Sequence, residues 1–457
     1  MLFVVLYPSV IFAYLDPGTG SLLLSSLIAL LTSVVFYMRG VLYKFSINIR
    51  ENKRSTDNNP PPYESGSYGL VIYSEGKHYY NVFKPIIDYF DSINYPYVYL
   101  TSSKDDLAFF REKTPSSYFE YIGESNRAYL RLNSIKADIV LMTTPQLDVL
   151  QIKRSKYVKH YCHIIHSLPH VDIYEVFALD YFDSVFTNSP IHTDFIHKVE
   201  SIRGLKTKQV VITGCTYLDV LQDKLNNLDS NDANISKENY RYFYDDKKVV
   251  LLSPSWGRES LLHKYGIDVI TPFIKSDFNL IIRPHPQTII SNISLINFLK
   301  SKTEMFENIK WDTNTNNIYA MKEASIMVGD FSGVIFDFIC LFDKPVVTMK
   351  LAFNKVGYDI EDTNEDIWVE KALRDISVVV DNVDNLKDVV SNALTSDISL
   401  QPNRLKMKEL LWNFRGVSGE KSANELLKIH KTILEDSLGS NLHIHQRLIK
   451  LNEILKA

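Results

Sequence analysis

From Gly69 onward, short runs that are apolar almost throughout alternate with longer stretches of helical period, in two successive series. The first series is Gly69–Ser74, Tyr95–Thr101, Ala137–Met142, His160–Ile165, Ser184–Thr187 and Gln209–Thr213. The second is Lys248–Leu252, Asn279–Ile282, Ile309–Trp311, Ile326–Gly329, Val346–Met349 and Ser377–Val380. Strands this short and apolar are covered on both faces, as in parallel sheets joined by helical crossovers. The stretch Lys77–Phe90 reads as one crossover, with apolar residues at 79, 82, 83, 86, 87 and 90. A polar segment, Asn226–Tyr240, separates the two series. The pattern predicts an α/β protein of two Rossmann-like domains, 68–240 and 241–400, facing across a cleft. Helices follow in 401–457, at Arg404–Trp412, Lys421–Leu434 and Gln446–Lys456. Ligands of such sheets bind beyond the carboxyl ends of the strands, so residues just after strands matter most.

The N-terminal end is different. The first 38 residues contain no Lys or Arg, and Asp16 is their only acid. Two apolar runs, Met1–Ala13 and Ser21–Met38, flank the turn-forming segment Tyr14–Gly20. The second run spans 18 residues, enough to cross a thin bilayer. It has no polar face, which argues against a buried soluble helix. Arg39, Lys44, Arg50, Lys53 and Arg54 come next, against the single acid Glu51. The expectation is a membrane anchor at 1–40, uncleaved and hairpin-like or re-entrant, because a basic n-region is missing. A basic, Pro-rich linker would occupy 41–67 and be drawn to anionic lipid headgroups. The positive-inside rule then places the α/β domains on the cytoplasmic face of the membrane.

A net charge of −4 excludes a chain-wide nucleic-acid footprint. Cys162, Cys215 and Cys340 are too few and too scattered for a disulfide framework or a cysteine zinc site. They read as reduced core thiols of a cytosol-facing protein. No metal or cofactor is expected.

Four segments can carry chemistry. In Arg283-Pro284-His285-Pro286 a buried strand runs into an imidazole held on a stiff loop, since each proline fixes its own φ and restricts the residue before it. A His beside an Arg suits a phosphate or diphosphate. In Gly329-Asp330-Phe331-Ser332-Gly333 a strand ends and a helix begins, which offers an anion site or an ordinary cap. Asp337 follows among apolar residues and needs a partner in the protein or a ligand. Ser253, Ser255 and Arg258 surround Trp256 after the first strand of the second domain and can meet a phosphate, or form a packed turn. His160, His163, His166 and His170 tempt a metal reading. However, 163 and 166 point to opposite faces of a strand, and no carboxylate completes a set. A general base at the cleft suits one of them, His166 first and His170 second, with a hydrogen-bonded structural role as the alternative.

Arg283-Pro-His-Pro, then Gly329-Asp-Phe-Ser-Gly-Val-Ile-Phe-Asp337 with Lys344-Pro345, resembles the CDP-glycerol glycerophosphotransferase family of bacterial cell-surface polymer and teichoic-acid synthesis. Ser255-Trp256, Ile212-Thr-Gly214 with Asp219, Tyr181-Phe-Asp183 and the opening Tyr14-Leu-Asp-Pro-Gly-Thr-Gly-Ser21 extend the likeness. The resemblance implies a GT-B arrangement and a reaction. An acceptor hydroxyl attacks the β-phosphorus of CDP-glycerol or a related CDP-alditol, and CMP leaves. It implies His166 as base, in place of the family's His-Gly-Thr-Pro histidine. It implies His285 and Ser332 at the donor's diphosphate, and Gly333, Asp330, Asp337, Arg283, Ser253 and Arg258 are the further donor-site candidates read from the residues above. The acceptor would be a membrane or lipid-linked polymer. Two departures stand out: the family's His-Gly is His166-Ser167 here, and its second Ser at the helix start is Gly333. A sugar-nucleotide glycosyltransferase or epimerase on the same scaffold is the alternative, and a non-catalytic membrane scaffold a third.

Overall fold

The computed structural model describes residues 67–112, 114–229, 241–314, 316–351, 353–438 and 442–456, with Val34 and Met38. The chain divides into two compact units, 1–61 and 62–457. The anchor expected at 1–40, Val34 and Met38 apart, and the linker at 41–67, Ser67 apart, lie outside the described residues. Among the described residues, no helix is long and apolar enough to cross a membrane.

The second unit contains two parallel sheets. The first is built from β1 (Tyr68–Ser74), β2 (Tyr97–Thr101), β3 (Ser117–Tyr121), β4 (Ala137–Met142), β5 (Val158–Ile164), β6 (Ser184–Thr187) and β7 (Gln209–Ile212). Its strand order is β3-β2-β1-β4-β5-β6-β7. The second holds β8 (Lys248–Leu252), β9 (Phe278–Ile282), β10 (Ile309–Trp311), β11 (Ile326–Gly329), β12 (Val346–Met349) and β13 (Val378–Val380), in the order β10-β9-β8-β11-β12-β13. Every residue of β4 and β11 is buried, as strands with helices on both faces require. Both orders reverse direction beside the first strand, between β1 and β4 and between β8 and β11. Those switch points are where crevices open at the carboxyl ends of strands.

Twelve strands were legible as apolar runs. The edge strand β3 was not, because its residues are all only half-buried and its sequence, Ser-Tyr-Phe-Glu-Tyr, carries no such run. The expected helix at 77–90 opens as a tight turn, Lys77–Tyr79, and continues as Tyr80–Ser92. The polar connection overlaps the helix Thr216–Asp229, and its remainder, 230–240, lies outside the described residues.

The C-terminal helices are shared between the sheets. Gln401–Leu411 packs on Val334–Phe342 and Trp368–Ile376 of the second, and Ser418–Asp436 packs on Tyr80–Ser92 of the first. Asp219 pins the crossing. One of its carboxylate oxygens accepts Trp412 Nε1–H at 2.9 Å, and the other accepts the Ser418 N–H at 3.2 Å and the Ser418 hydroxyl. Gly214 makes room for it: its φ is +93°, and a Cβ there would lie 2.5 Å from the Asn413 carbonyl oxygen. Across the cleft mouth the Val176 N–H donates to the Gly357 carbonyl, the Asp359 N–H to that of Tyr174, and Arg203, which also pairs with Asp180 of its own domain, meets Asp359 and Asp362.

Candidate active site

A cavity of about 780 Å³ opens between the carboxyl ends of the two sheets. That volume suits a nucleotide-sized ligand. His166, Ser253, Arg283, His285, Ser332, Gly333 and Asp337 all line it.

His166 lies two residues beyond β5. Its Nδ1 is 2.9 Å from Thr143 Oγ1, just past β4, and its ring packs edge-on against Tyr79 and parallel to Tyr174. Burial, with a smaller contribution from His78, pushes its imidazole down to about 4, so it is neutral near pH 7. His285 sits at the start of the helix Pro286–Ser291, where its Nδ1 accepts the Gln287 N–H at 3.1 Å. An accepting Nδ1 puts the proton of the neutral ring on Nε2. Burial first, then Arg283 and His78, lowers this imidazole also to about 4. Trp256, half exposed, stacks at 6.3 Å and 29° to it.

Four residues differ from expectation. Arg283 reaches the cavity wall, but its guanidinium is engaged by the buried Asp312 carboxylate and by the Asn314 carbonyl at 2.7 Å. Its charge holds the loops after β9 and β10 together instead of standing free for a phosphate. Asp330 is fully enclosed and does not line the cavity. Its two oxygens accept the Ser255 N–H at 2.8 Å and the Leu261 N–H at 2.9 Å, so it ties down the loop after β8. His170 is buried away from the cavity. Its Nδ1 accepts the Asp172 N–H at 3.2 Å and its Nε2 donates to the Ile191 carbonyl at 2.9 Å, which leaves no nitrogen for proton transfer. Arg258 is exposed and outside the lining. His163 is fully buried among Tyr174 and Phe182, and among the described residues neither of its nitrogens has a hydrogen-bond partner. Among the described residues, no three metal-ligating side chains gather.

The helix Val334–Phe342 opens onto the cavity at Ser332, Gly333 and Val334. Gly333 packs close to the opposite domain: a Cβ there would lie 3.3 Å from Pro169 Cγ. The family's second serine would therefore press on the Pro169 ring. Lys344, of the Lys-Pro pair, donates to the carbonyls of Met321, Lys322 and Ala324 and so caps a helix end rather than a ligand.

Asp337 is buried on this helix, with no hydrogen-bond partner among the described residues, and burial pushes its carboxyl up to about 7. Between about pH 4, where a free carboxyl titrates, and about 7, the folded chain keeps a proton that the unfolded chain loses. Stability therefore falls as pH rises through that window and levels off above it. Asp337→Asn removes this contribution. Thermal melts of the variant should lose less stability from low to neutral pH than the parent, by about 1 kcal/mol per pH unit.

Sequence reasoning passed over His78, Lys224, Tyr217 and Asn317, which also line the cavity. His78 follows the carboxyl end of β1, the position such sheets favour, and Gly76 was its signal. A Cβ on Gly76 would lie 2.8 Å from the His78 ring.

The sequence profile of CDP-glycerol:poly(glycerophosphate) glycerophosphotransferase matches residues 77–409. The chain belongs to that family. It is a glycerophosphotransferase-like enzyme, and glycerophosphate transfer is the family's chemistry. No curated protein matches the chain. Among solved structures, a variant of the wall teichoic acid polymerase TagF soaked with CDPG superimposes with a TM-score of 0.54 at 15% identity, covering 88% of this chain and 99% of that one. The UDP-GlcNAc 2-epimerase from Neisseria meningitidis bound to UDP-GlcNAc gives 0.54 at 15% identity, over 79% and 100%. The epimerase from Methanocaldococcus jannaschii gives 0.52 at 15% identity, over 79% and 99%. At these identities the chain shares a fold with both groups, the paired α/β arrangement.

Proposed function

We propose that this chain moves glycerol phosphate, or a related alditol phosphate, from a CDP-activated donor to a hydroxyl of a membrane or lipid-linked polymer, releasing CMP. The observation that carries the reading is the pair of neutral histidines on opposite walls of one cavity, His166 from the first domain and His285 from the second.

Their bonding suits different tasks. In the tautomer whose Nδ1–H donates to Thr143 Oγ1, His166 keeps its Nε2 lone pair for the acceptor hydroxyl. The acceptor oxygen bonds to the donor's β-phosphorus as the bond to the bridging oxygen breaks. The hydroxyl proton passes to His166, and CMP carries away the electron pair. His285, with its proton on Nε2, donates to a phosphoryl oxygen. The helix start at Ser332 and Gly333 adds its positive end, and Lys224 on the first-domain wall adds a cation. Phosphoryl transfer relies on such positioning and charge neutralisation more than on covalent chemistry. Ser253 and Trp256 offer a hydroxyl and a stacking face for the nucleotide. An anchor at 1–40 would keep the active site near a membrane acceptor, on the cytoplasmic face.

Release of CMP from CDP-glycerol or CDP-ribitol by purified protein with a membrane acceptor tests the reading, and absence of release with either donor refutes it. A thermal-shift screen reads the alternative: stabilisation by UDP- or GDP-sugars and not by cytidine nucleotides would favour a sugar-nucleotide donor. His285→Ala should weaken cytidine-nucleotide binding about tenfold or more, the loss of one charge-assisted hydrogen bond, as read by calorimetry.

A further inference from the structure

The segment Val149–His160 carries Lys153, Arg154, Lys156 and Lys159 and no acid, in a chain whose net charge is −4. It forms the approach to β5, at the amino ends of the strands, opposite the cavity at their carboxyl ends. Lys136, one residue before β4, joins it, because Ala137 and Val158 are register partners. Lys136 and Lys156 both lie over the half-exposed ring of Tyr157, at 5.5 and 4.9 Å. Leu150 is half exposed as well. Among the described residues, Lys136, Lys153 and Lys156 pair with no carboxylate. Lys153 donates to the carbonyls of Asp148 and Val149.

The covalent entry of the N-terminal segment falls at this same edge. Tyr68 opens β1, pairs with Ala137, and donates its N–H to the Lys136 carbonyl at 2.9 Å. We infer that this edge, centred on Lys136, Lys153, Lys156 and Tyr157, docks on an anionic lipid surface as a second membrane contact of the catalytic unit. The inference rests on the membrane attachment proposed above. Three features favour lipid over an anionic polymer. The patch faces away from the catalytic cavity. It combines lysines with an aromatic and an aliphatic side chain, the composition of an interfacial contact. It also lies where the chain arrives from the expected anchor, so a weak contact per lysine is multiplied by tethering.

The test uses the full chain carrying Tyr157→Trp, mixed with vesicles of phosphatidylcholine alone or with brominated phosphatidylglycerol. Cosedimentation with the zwitterionic vesicles reads the anchor by itself. Bromine quenching of the added indole, beyond the background of the parent's four tryptophans, reads the docking edge whether or not the anchor binds. The expected result is quenching about twofold above that background with the anionic lipid, relieved by high salt. It should be absent when Lys136, Lys153 and Lys156 are all changed to Glu. Quenching no greater than background overturns the inference. An emission change with soluble poly(glycerol phosphate) in the absence of quenching also overturns it and makes the edge a polymer site.

Discussion

His166→Ala should lower turnover by about 10²- to 10⁴-fold, the usual contribution of a positioned acid–base group, while nucleotide affinity stays within about twofold of the parent. The split follows from where the ring sits. His166 is on the first-domain wall beside Thr143, whereas His285, Ser332 and Trp256 come from the second domain. Steady-state CMP release, set beside calorimetric binding of a cytidine nucleotide, separates the two effects. Equal loss of binding in His166→Ala and His285→Ala would end the assignment of separate roles. The neutral ring also sets a pH signature. With its imidazole pushed down to about 4, His166 stays in the base form from neutral pH down to mildly acidic pH. The acid limb of the turnover profile should therefore lie well below the value of a free histidine, about 6.5. A limb near 6.5 would mean that the ring is solvated during turnover.

Arg283→Ala should destabilise the fold by about 3–5 kcal/mol and weaken nucleotide binding with it. Asp312 is fully buried, and without its guanidinium partner it is an uncompensated charge. The same arginine holds the Asn314 carbonyl, next to the cavity-lining Asn316 and Asn317. Arg283→Lys should recover only part of the loss, because an ammonium cannot hold the carboxylate and the carbonyl with a planar fork. Thermal or urea unfolding measures the first effect and calorimetry the second. A variant that loses nucleotide affinity at full stability would restore the free-phosphate role that the sequence suggested for Arg283.

That contrast shows how much could be read from residue order alone. Apolar runs gave the strands of both sheets because double-sided burial leaves little room for polar side chains. β3 escaped because an edge strand obeys a looser rule. His166, His285 and Ser332 were found because the carboxyl end of a strand is a property of the local sequence. Their convergence on one cavity depends on how the two sheets face one another, which no local pattern encodes. The roles of Arg283, Asp330 and His170 went astray for a common reason. Each is satisfied by a group distant in the sequence or on another loop, Asp312 for Arg283, Ser255 and Leu261 for Asp330, Ile191 for His170. A charged or titratable side chain shows in the sequence, but its partner shows only in the fold.

The crossing held by Asp219 has a consequence for synthesis. The face of the first sheet that buries Phe83, Ile86 and Ile139 is closed by Ala423, Leu426 and Leu427. A ribosome has therefore released the whole second domain before the first can bury this face of its sheet. The first domain must wait, partly uncovered, until Ser418–Asp436 has been made, and it shares its folding cooperativity with a segment far along the chain from its own strands.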